Sequence, residues 1–234
     1  SSLLTVEADL IGKAQTKTKE SDHMKYSTRG NVDPFIVMDV MENARKAEEC
    51  GYKIIHMEVG QPSTAAPSFA LERTSQIIKS NPLGYTVALG LPELRKKISN
   101  LYGRWYNLDI DPSRIIVTSG SSGAFILSFT ALFEEGARVG IGAPGYPSYR
   151  QILKSQGILP VDIMTNFENK FQPTTNDILS QNLDGLLVAS PSNPTGTMLS
   201  KDELANLINT THSIDASFIS DEIAVDPLNA QIMI

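Results

Sequence analysis

The stretch GLLVASPSNPTGTMLSKDELANLINTTHSIDASFISDE, residues 185–222, contains the pattern that decides the fold. Its first part, Gly185–Ala189, is an apolar run that predicts a buried strand. Residues Lys201–Thr211 have the apolar spacing of a helix, and Ser217–Ser220 form a second short strand-like run. A strand followed by a helix and another strand is typical of α/β proteins and predicts a largely parallel sheet.

The same alternation continues towards the N-terminus. We expect further helices at Phe35–Glu49, Ser68–Lys79, Pro92–Tyr106, Ser122–Phe133 and Ser148–Gln156. We expect further strands at Lys53–Val59, Ile115–Thr118, Ala137–Ile141 and Ile158–Ile163. The fold class predicted from this order is α/β, with helices on both faces of a mostly parallel sheet, which makes three layers.

Composition excludes several classes of protein. With 20 Lys and Arg against 26 Asp and Glu, the net charge of −6 argues against a nucleic-acid-binding surface. The most apolar stretch, residues 124–133, is shorter than the roughly 20 residues that a membrane span requires. The single cysteine, Cys50, cannot form an internal disulfide and favours a reducing, cytoplasmic setting. The three histidines are scattered, so no metal site is expected.

The loop TSGSSGA, residues 118–124, follows a predicted strand and opens a predicted helix. Ligands of open α/β sheets bind outside the carboxyl ends of strands, and small residues let backbone N–H groups surround an anion there. The hydroxyls of Ser121 and Ser122 could donate further hydrogen bonds. The loop is either a phosphate-binding site or a strand–helix turn with serine as N-cap, and its residues alone do not decide between the two.

Two more loops follow predicted strands. In Ser190–Gly196, two prolines restrict the backbone, so Asn193 could be held rigidly towards a ligand, although a proline-rich turn is the commoner meaning of such a pattern. In Ser220–Glu222, Asp221 follows a buried strand, where a carboxylate needs a partner. That acid could equally be an N-cap or a solvated strand end.

Taken in chain order, six motifs resemble the class I aminotransferases of pyridoxal phosphate fold type I. They are Gly60-Gln61-Pro62, Gly84-Tyr85-Thr86 with Gly90–Arg95, Thr118–Ala124, Pro144–Pro147, Ser192–Gly196 and Ser220–Ile223. The resemblance runs from about residue 29 to residue 223. It implies an N-terminal arm and part of a small domain in residues 1–50. It also implies an incomplete large, pyridoxal phosphate-binding domain in residues 51–234.

The resemblance also implies roles for residues that bind the phosphate of the cofactor, pyridoxal 5'-phosphate. Ser121 and Ser122 take the positions that hold this phosphate. Tyr85 takes the position of a tyrosine that reaches the phosphate from the neighbouring subunit, which implies a homodimer.

The other matched residues would surround the cofactor ring and the substrate. Tyr146 takes the position of an aromatic ring stacked on the pyridine, and Asn193 that of an amide bonded to the ring 3-oxygen. Asp221 takes the position of the carboxylate that keeps the proton on the pyridine nitrogen, which makes the ring an electron sink. Gly60 falls near the substrate carboxylate.

The family's Schiff-base lysine has no counterpart in the sequence. Thirteen residues follow Asp221, none of them a lysine, and Ala224 stands where the family usually has a tyrosine. We therefore expect a truncated family member whose isolated chain is inactive. The implied function is amino transfer between an amino acid and a 2-oxo acid. The alternatives are a pyridoxal phosphate-dependent lyase, an aminocyclopropane carboxylate synthase-like enzyme, or an inactive form that serves only as a dimer partner.

Overall fold

The structure is a computed structural model that describes residues 25–60 and 64–222. The described residues divide between two units, with the boundary between Asn31 and Val32. The described part of the first unit contains the 3₁₀ turn Thr28–Gly30, in which the Ser27 side chain accepts a hydrogen bond from the backbone of Arg29. Most of the predicted arm, the residues Gln61 and Pro62, and everything after Glu222 lie outside the described residues. The predicted domain division near residue 50 stays a prediction.

Helices and strands of the second unit alternate from residue 120 onwards. The helices are α1 (Ile36–Glu49), α2 (Ser68–Ser80), α3 (Pro92–Tyr106), α4 (Gly120–Leu132), α5 (Pro147–Ser155), α6 (Thr175–Leu179) and α7 (Lys201–Ser213). The strands are β1 (Arg138–Ala143), β2 (Leu159–Met164), β3 (Gly185–Ala189) and β4 (Ser217–Asp221). Six of the seven helices and all four strands were predicted within two residues at most ends. The sequence prediction missed α6, whose start is marked by a capping box between Thr174 and Asp177.

The four strands form one parallel sheet in the order β2-β1-β3-β4. The predicted parallel sheet is therefore confirmed. Ala143 at the end of β1 lies opposite Met164, and Ala189 at the end of β3 lies opposite Asp221. Because all strands run the same way, their carboxyl ends share one edge of the sheet.

Helices cover both faces of this sheet, as the residues of β3 demonstrate. Leu187 packs with Phe129 of α4 and with other apolar residues of α4 and α5. Leu186 and Val188 point to the opposite face and pack with Leu207 of α7. Strands buried on both faces are apolar along their whole length, which explains the uninterrupted GLLVA run. Removing each such side chain from water contributes about 1.5–3 kcal/mol, so the core lies between the sheet and the helices packed on its two faces.

Two predicted strands are wrong. Residues 53–59 form no strand, and Ile55 and Met57 are 81% and 88% exposed. Residues 115–118 form no strand either; there the Val117 N–H donates to the Leu89 carbonyl. An apolar, β-branched run satisfies its backbone groups as a strand only when another strand lies beside it. Among the described residues neither run has such a neighbour, so loop 118–124 follows an extended segment instead of a strand.

No helix in the described part of the chain is long and apolar enough to cross a membrane.

Candidate functional site

Asp221 lies at the carboxyl edge of the sheet as the last residue of β4. Successive side chains of a strand point to opposite faces. Ile219 packs on the face covered by α4 and α5, so Asp221, two residues later, points to that same face. Its main chain is also tied to the neighbouring loop, since the Ser190 N–H donates to the Asp221 carbonyl at 3.1 Å. The predicted site carboxylate therefore stands half-buried at a defined place on the sheet edge.

A buried tyrosine holds the Asp221 side chain. Tyr149 is 3% exposed, and its hydroxyl donates a hydrogen bond to Oδ2 of Asp221. Burial, followed by the hydrogen bond to Asp221, raises the pKa of Tyr149, so the hydroxyl keeps its proton as a donor. Asp221 thus has the partner that a half-buried carboxylate requires.

Sequence reasoning missed Tyr149. The signal was present, because Tyr149 follows the predicted site residue Tyr146 by three positions. Residues three apart in a helix lie on one face, and α5 begins at Pro147, directly after its N-cap Tyr146.

The turn that delivers Tyr146 depends on a glycine. A Cβ atom at Gly145 would clash with the backbone carbonyl of Gly142, so only glycine fits at position 145 of the turn between β1 and α5. Tyr146 is half-buried, and its ring centroid lies 5.4 Å from that of Tyr149 in an edge-to-face arrangement. Phe35 contacts the Tyr146 ring from α1's N-terminal side, with the two centroids 5.9 Å apart.

The N-terminus of α4 lies near this aromatic group. Phe125 packs edge-to-face on Tyr149 with ring centroids 5.1 Å apart. Ser121 is one helical turn before Phe125, so the first turn of α4 lies at the same end of the sheet as Asp221.

The first turn of α4 has the properties of an anion-binding site. Gly120 opens the helix with φ at +75°, a conformation that favours glycine. Ser119, the N-cap, makes no side-chain capping hydrogen bond, and Ser121 and Ser122 are exposed. The first N–H groups of such a helix, together with the helix dipole, favour a negatively charged group.

The loop after β3 brings Asn193 to the same region. A cleft at the sheet edge is lined by Asn193 and Ser192 of this loop, by Tyr149, and by Gly142 and Gln172 among others. The loop closes on itself, because the Ser192 N–H donates to the Thr197 carbonyl and the Gly196 N–H donates to the Ser192 carbonyl. Asn193 therefore shares a cleft with the tyrosine that holds Asp221.

Two predicted site residues, Tyr85 and Gly60, are not part of the group of residues around Asp221 and Tyr149. Tyr85 is fully exposed, with a relative exposure of 110%, and Gly60 is also exposed. Neither residue lines the cleft at the sheet edge. Within residues 25–60 and 64–222, no group of three or more His, Cys, Asp or Glu residues could hold a metal ion.

The chemistry of these groups fits pyridoxal phosphate. A helix N-terminus with two serines suits a phosphate, and a carboxylate held by a buried hydroxyl suits a protonated pyridine nitrogen. The Tyr146 ring packs on Tyr149, and Asn193 lines a cleft together with Tyr149. Fold and site together define a pyridoxal phosphate-dependent protein of fold type I.

Comparison with known proteins agrees with this class. A sequence profile of the family "Aminotransferase class I and II" matches residues 52–224, and the chain belongs to this family. Members of the family depend on pyridoxal phosphate. Valine–pyruvate aminotransferase of Mycobacterium tuberculosis is 39% identical over 201 residues, which are 85% of this chain and 52% of that protein.

Solved structures extend the comparison. A protein from Silicibacter pomeroyi is 56% identical with a TM-score of 0.76, over 86% of this chain and 51% of that one. An aminotransferase from Mycobacterium tuberculosis is 39% identical with a TM-score of 0.81, over 86% of this chain and 52% of that one. The chain spans about half the length of the relatives that it matches.

Proposed function

We propose that this chain provides the cofactor-binding part of an enzyme that transfers an amino group between an amino acid and a 2-oxo acid. The observation that carries the proposal is the placement of Asp221. Its carboxylate is held by Tyr149, which packs on Phe125 of the helix that begins with the serine loop. One connected group of side chains thus links the site proposed for the pyridine nitrogen with the site proposed for the phosphate.

Each residue has a separate task in this proposal. Ser121 and Ser122 bind the phosphate with their hydroxyls and backbone N–H groups, which anchors the cofactor without taking part in the reaction. Asp221 holds the proton at the pyridine nitrogen, and Tyr149 keeps the carboxylate in position. When bound, the cofactor withdraws electrons from the α-carbon of the amino acid. Tyr146 and Asn193 orient the ring and limit its contact with water.

The proposal includes a homodimer. Tyr85 is fully exposed and makes no hydrogen bond or ring contact with the described residues of its own chain. When two copies associate at that surface, an exposed tyrosine of one copy can donate a hydrogen bond to the cofactor phosphate bound by the partner subunit. Gly60, also exposed, is proposed to line the binding site of the substrate carboxylate. A reducing, cytoplasmic setting accords with Cys50, which is exposed and free.

The phosphate site can be tested by comparing two ligands that differ in one group. We expect the chain to bind pyridoxal phosphate, measured by the absorbance change of the ligand on titration. The double substitution Ser121→Ala and Ser122→Ala should weaken this binding about tenfold or more, since both serines are exposed and each hydrogen bond then contributes a net ~0.5–1.5 kcal/mol. Binding of pyridoxal, which lacks the phosphate, should stay unchanged. Ser128→Ala, in the same helix, is the control.

An equal loss of affinity for both ligands would contradict the phosphate assignment, and a chain that binds neither would refute the proposed function. Amino transfer itself is followed by the 2-oxo acid formed from the amino donor, whereas a lyase would release ammonia. Because no lysine follows Lys201 in the sequence, we propose that residues 1–234 alone bind the cofactor without amino transfer. Measurable transfer by the isolated chain would refute that part.

A further inference from the structure

Gln172 is a buried amide between β2 and α6 that sequence analysis did not single out. Its side chain is part of a residue only 3% exposed. The Nε2 group donates two hydrogen bonds, one to the Ala189 carbonyl and one to the Thr197 carbonyl, each 3.1 Å long. These two carbonyls stand at the two ends of the loop that carries Asn193. One amide group therefore joins both ends of this loop.

The backbone before Gln172 has a constrained conformation. Lys170 and Phe171 have φ values of 55° and 54°, in the left-handed region that non-glycine residues adopt at an energetic cost. The Phe171 N–H donates to the Asn166 carbonyl at 2.7 Å, which closes this turn. Such a turn persists because the surrounding contacts hold it, and here it directs Gln172 into the interior.

One of the two carbonyls bonded by Gln172 also closes the loop around Asn193. The Thr197 carbonyl also accepts the Ser192 N–H at 2.9 Å, and the Ser192 carbonyl accepts the Gly196 N–H at 2.7 Å. At the other end of the loop, the Gln172 amide donates to the carbonyl of Ala189, the residue that pairs with Asp221 across the sheet. Gln172 thus ties the Asn193 loop to the strand beside Asp221.

We propose that Gln172 is a positioning residue that sets the place of the Asn193 amide relative to the Asp221 carboxylate. The inference rests on the proposed function, in which both side chains contact the same cofactor ring. Without the two hydrogen bonds, the Ala189 carbonyl loses the Gln172 donor and the Thr197 carbonyl keeps only the Ser192 N–H, so the loop gains alternative positions.

The test uses Gln172→Met, which keeps the length of the side chain and removes the donor. The dissociation constant for pyridoxal phosphate should rise about fivefold to tenfold, the effect of roughly one lost hydrogen bond. In an Asn193→Ala background the same substitution should change the constant less than about twofold, because the group that Gln172 positions is already absent. Gln156→Met is the matched control, since its amide donates to the carbonyl of Ile126, in α4, instead.

A second measurement needs no cofactor. Hydrogen exchange of the Ser192 and Gly196 amides in the ligand-free chain should become faster in Gln172→Met, because the loop that protects them loses its tie. A glutamate at this position provides one O–H donor when protonated. In Gln172→Glu, the exchange rates of both amides, taken relative to the unsubstituted chain at the same pH, should therefore return towards those of the unsubstituted chain as the pH is lowered to about 4.

The outcomes separate the two proposals. If the unsubstituted chain does not bind pyridoxal phosphate, the proposed function fails, and unchanged exchange at Ser192 and Gly196 overturns the positioning role independently. If the chain binds the cofactor but Gln172→Met weakens binding equally with and without Asn193, Gln172 does not act through Asn193. Faster exchange together with non-additive affinities supports the inference.

Discussion

The hydrogen bond from Tyr149 to Asp221 can be removed with little other change. Tyr149→Phe deletes the hydroxyl and keeps the ring, which packs on Phe125 and Tyr146. The substitution therefore makes no large cavity. A hydrogen bond to a charged group contributes about 1.5–3 kcal/mol, and because Asp221 is half-buried, water can partly replace the lost donor. We expect the free energy of unfolding at pH 7 to fall by about 1.5 kcal/mol.

The pH dependence of this loss gives a second, independent signature. Burial, followed by the hydrogen bond to Asp221, raises the pKa of Tyr149 in the folded chain above the ordinary tyrosine value of 10.0. A raised pKa means that the folded state holds the proton more tightly than the unfolded state. The stabilisation is therefore complete below about pH 10 and declines above it, by about 1.4 kcal/mol per pH unit for one proton. The stability difference between Tyr149→Phe and the unsubstituted chain should accordingly shrink to near zero at about pH 11.

The assay is urea unfolding followed by circular dichroism at pH values from 7 to 11. In thermal unfolding at pH 7, a loss of about 1.5 kcal/mol corresponds to a decrease in Tm of roughly 3–6 °C for a chain of this size. Tyr146→Phe is the control, since its hydroxyl forms no hydrogen bond among the described residues while its ring belongs to the same aromatic group. The reasoning is refuted if Tyr149→Phe loses less than about 0.5 kcal/mol and follows the pH profile of the unsubstituted chain.

Two predictions concern other parts of the fold. Hydrogen bonds with Glu58 and Glu48 raise the pKa of His56 to about 9, so its NMR titration midpoint should lie there and fall in Glu58→Gln. The stabilisation by these His56 hydrogen bonds is complete below the ordinary histidine pKa of 6.5 and is lost as the pH rises through about 9. An NMR titration midpoint near 6.5 for His56 would contradict this prediction. Ser200→Ala removes the N-cap of α7 and should lower the free energy of unfolding by about 1 kcal/mol in urea unfolding. Ser213→Ala, at the other end of that helix, should have a much smaller effect, and equal losses would count against the capping argument.

The regular elements around the sheet were predictable because their signals are local. The helix α3 begins at a proline and repeats its apolar residues at helical spacing, and the structure places it at the predicted residues, Pro92–Tyr106. The strand β3 was predicted with its observed ends, since a parallel strand buried on both faces is continuously apolar. Residues 53–59 and 115–118 have a similar apolar pattern and are not strands. Strand formation depends on a neighbouring strand, which no local pattern reports.

The site residues also fall into those that the local sequence indicates and those that it does not. Loop chemistry identified Ser121, Ser122, Asn193 and Asp221 as candidates, because small residues, prolines and a carboxylate in these positions have local physical meanings. Nothing local indicated Gln172, since its two hydrogen-bond partners lie 17 and 25 residues away in the chain. Its function as a donor exists only after the loop folds back over the sheet edge.

By itself, the sequence determined the alternation of helices and strands, the parallel sheet and the residue types that suit a phosphate and a pyridine nitrogen. Periodicity, helix caps and loop composition act over a few neighbouring residues, so they can be recognised along the chain. The tertiary structure alone decided that Tyr149 holds Asp221 and that Gln172 joins both ends of the Asn193 loop. These contacts bring together residues up to 72 positions apart, and their geometry is set by the packing of helices on the sheet.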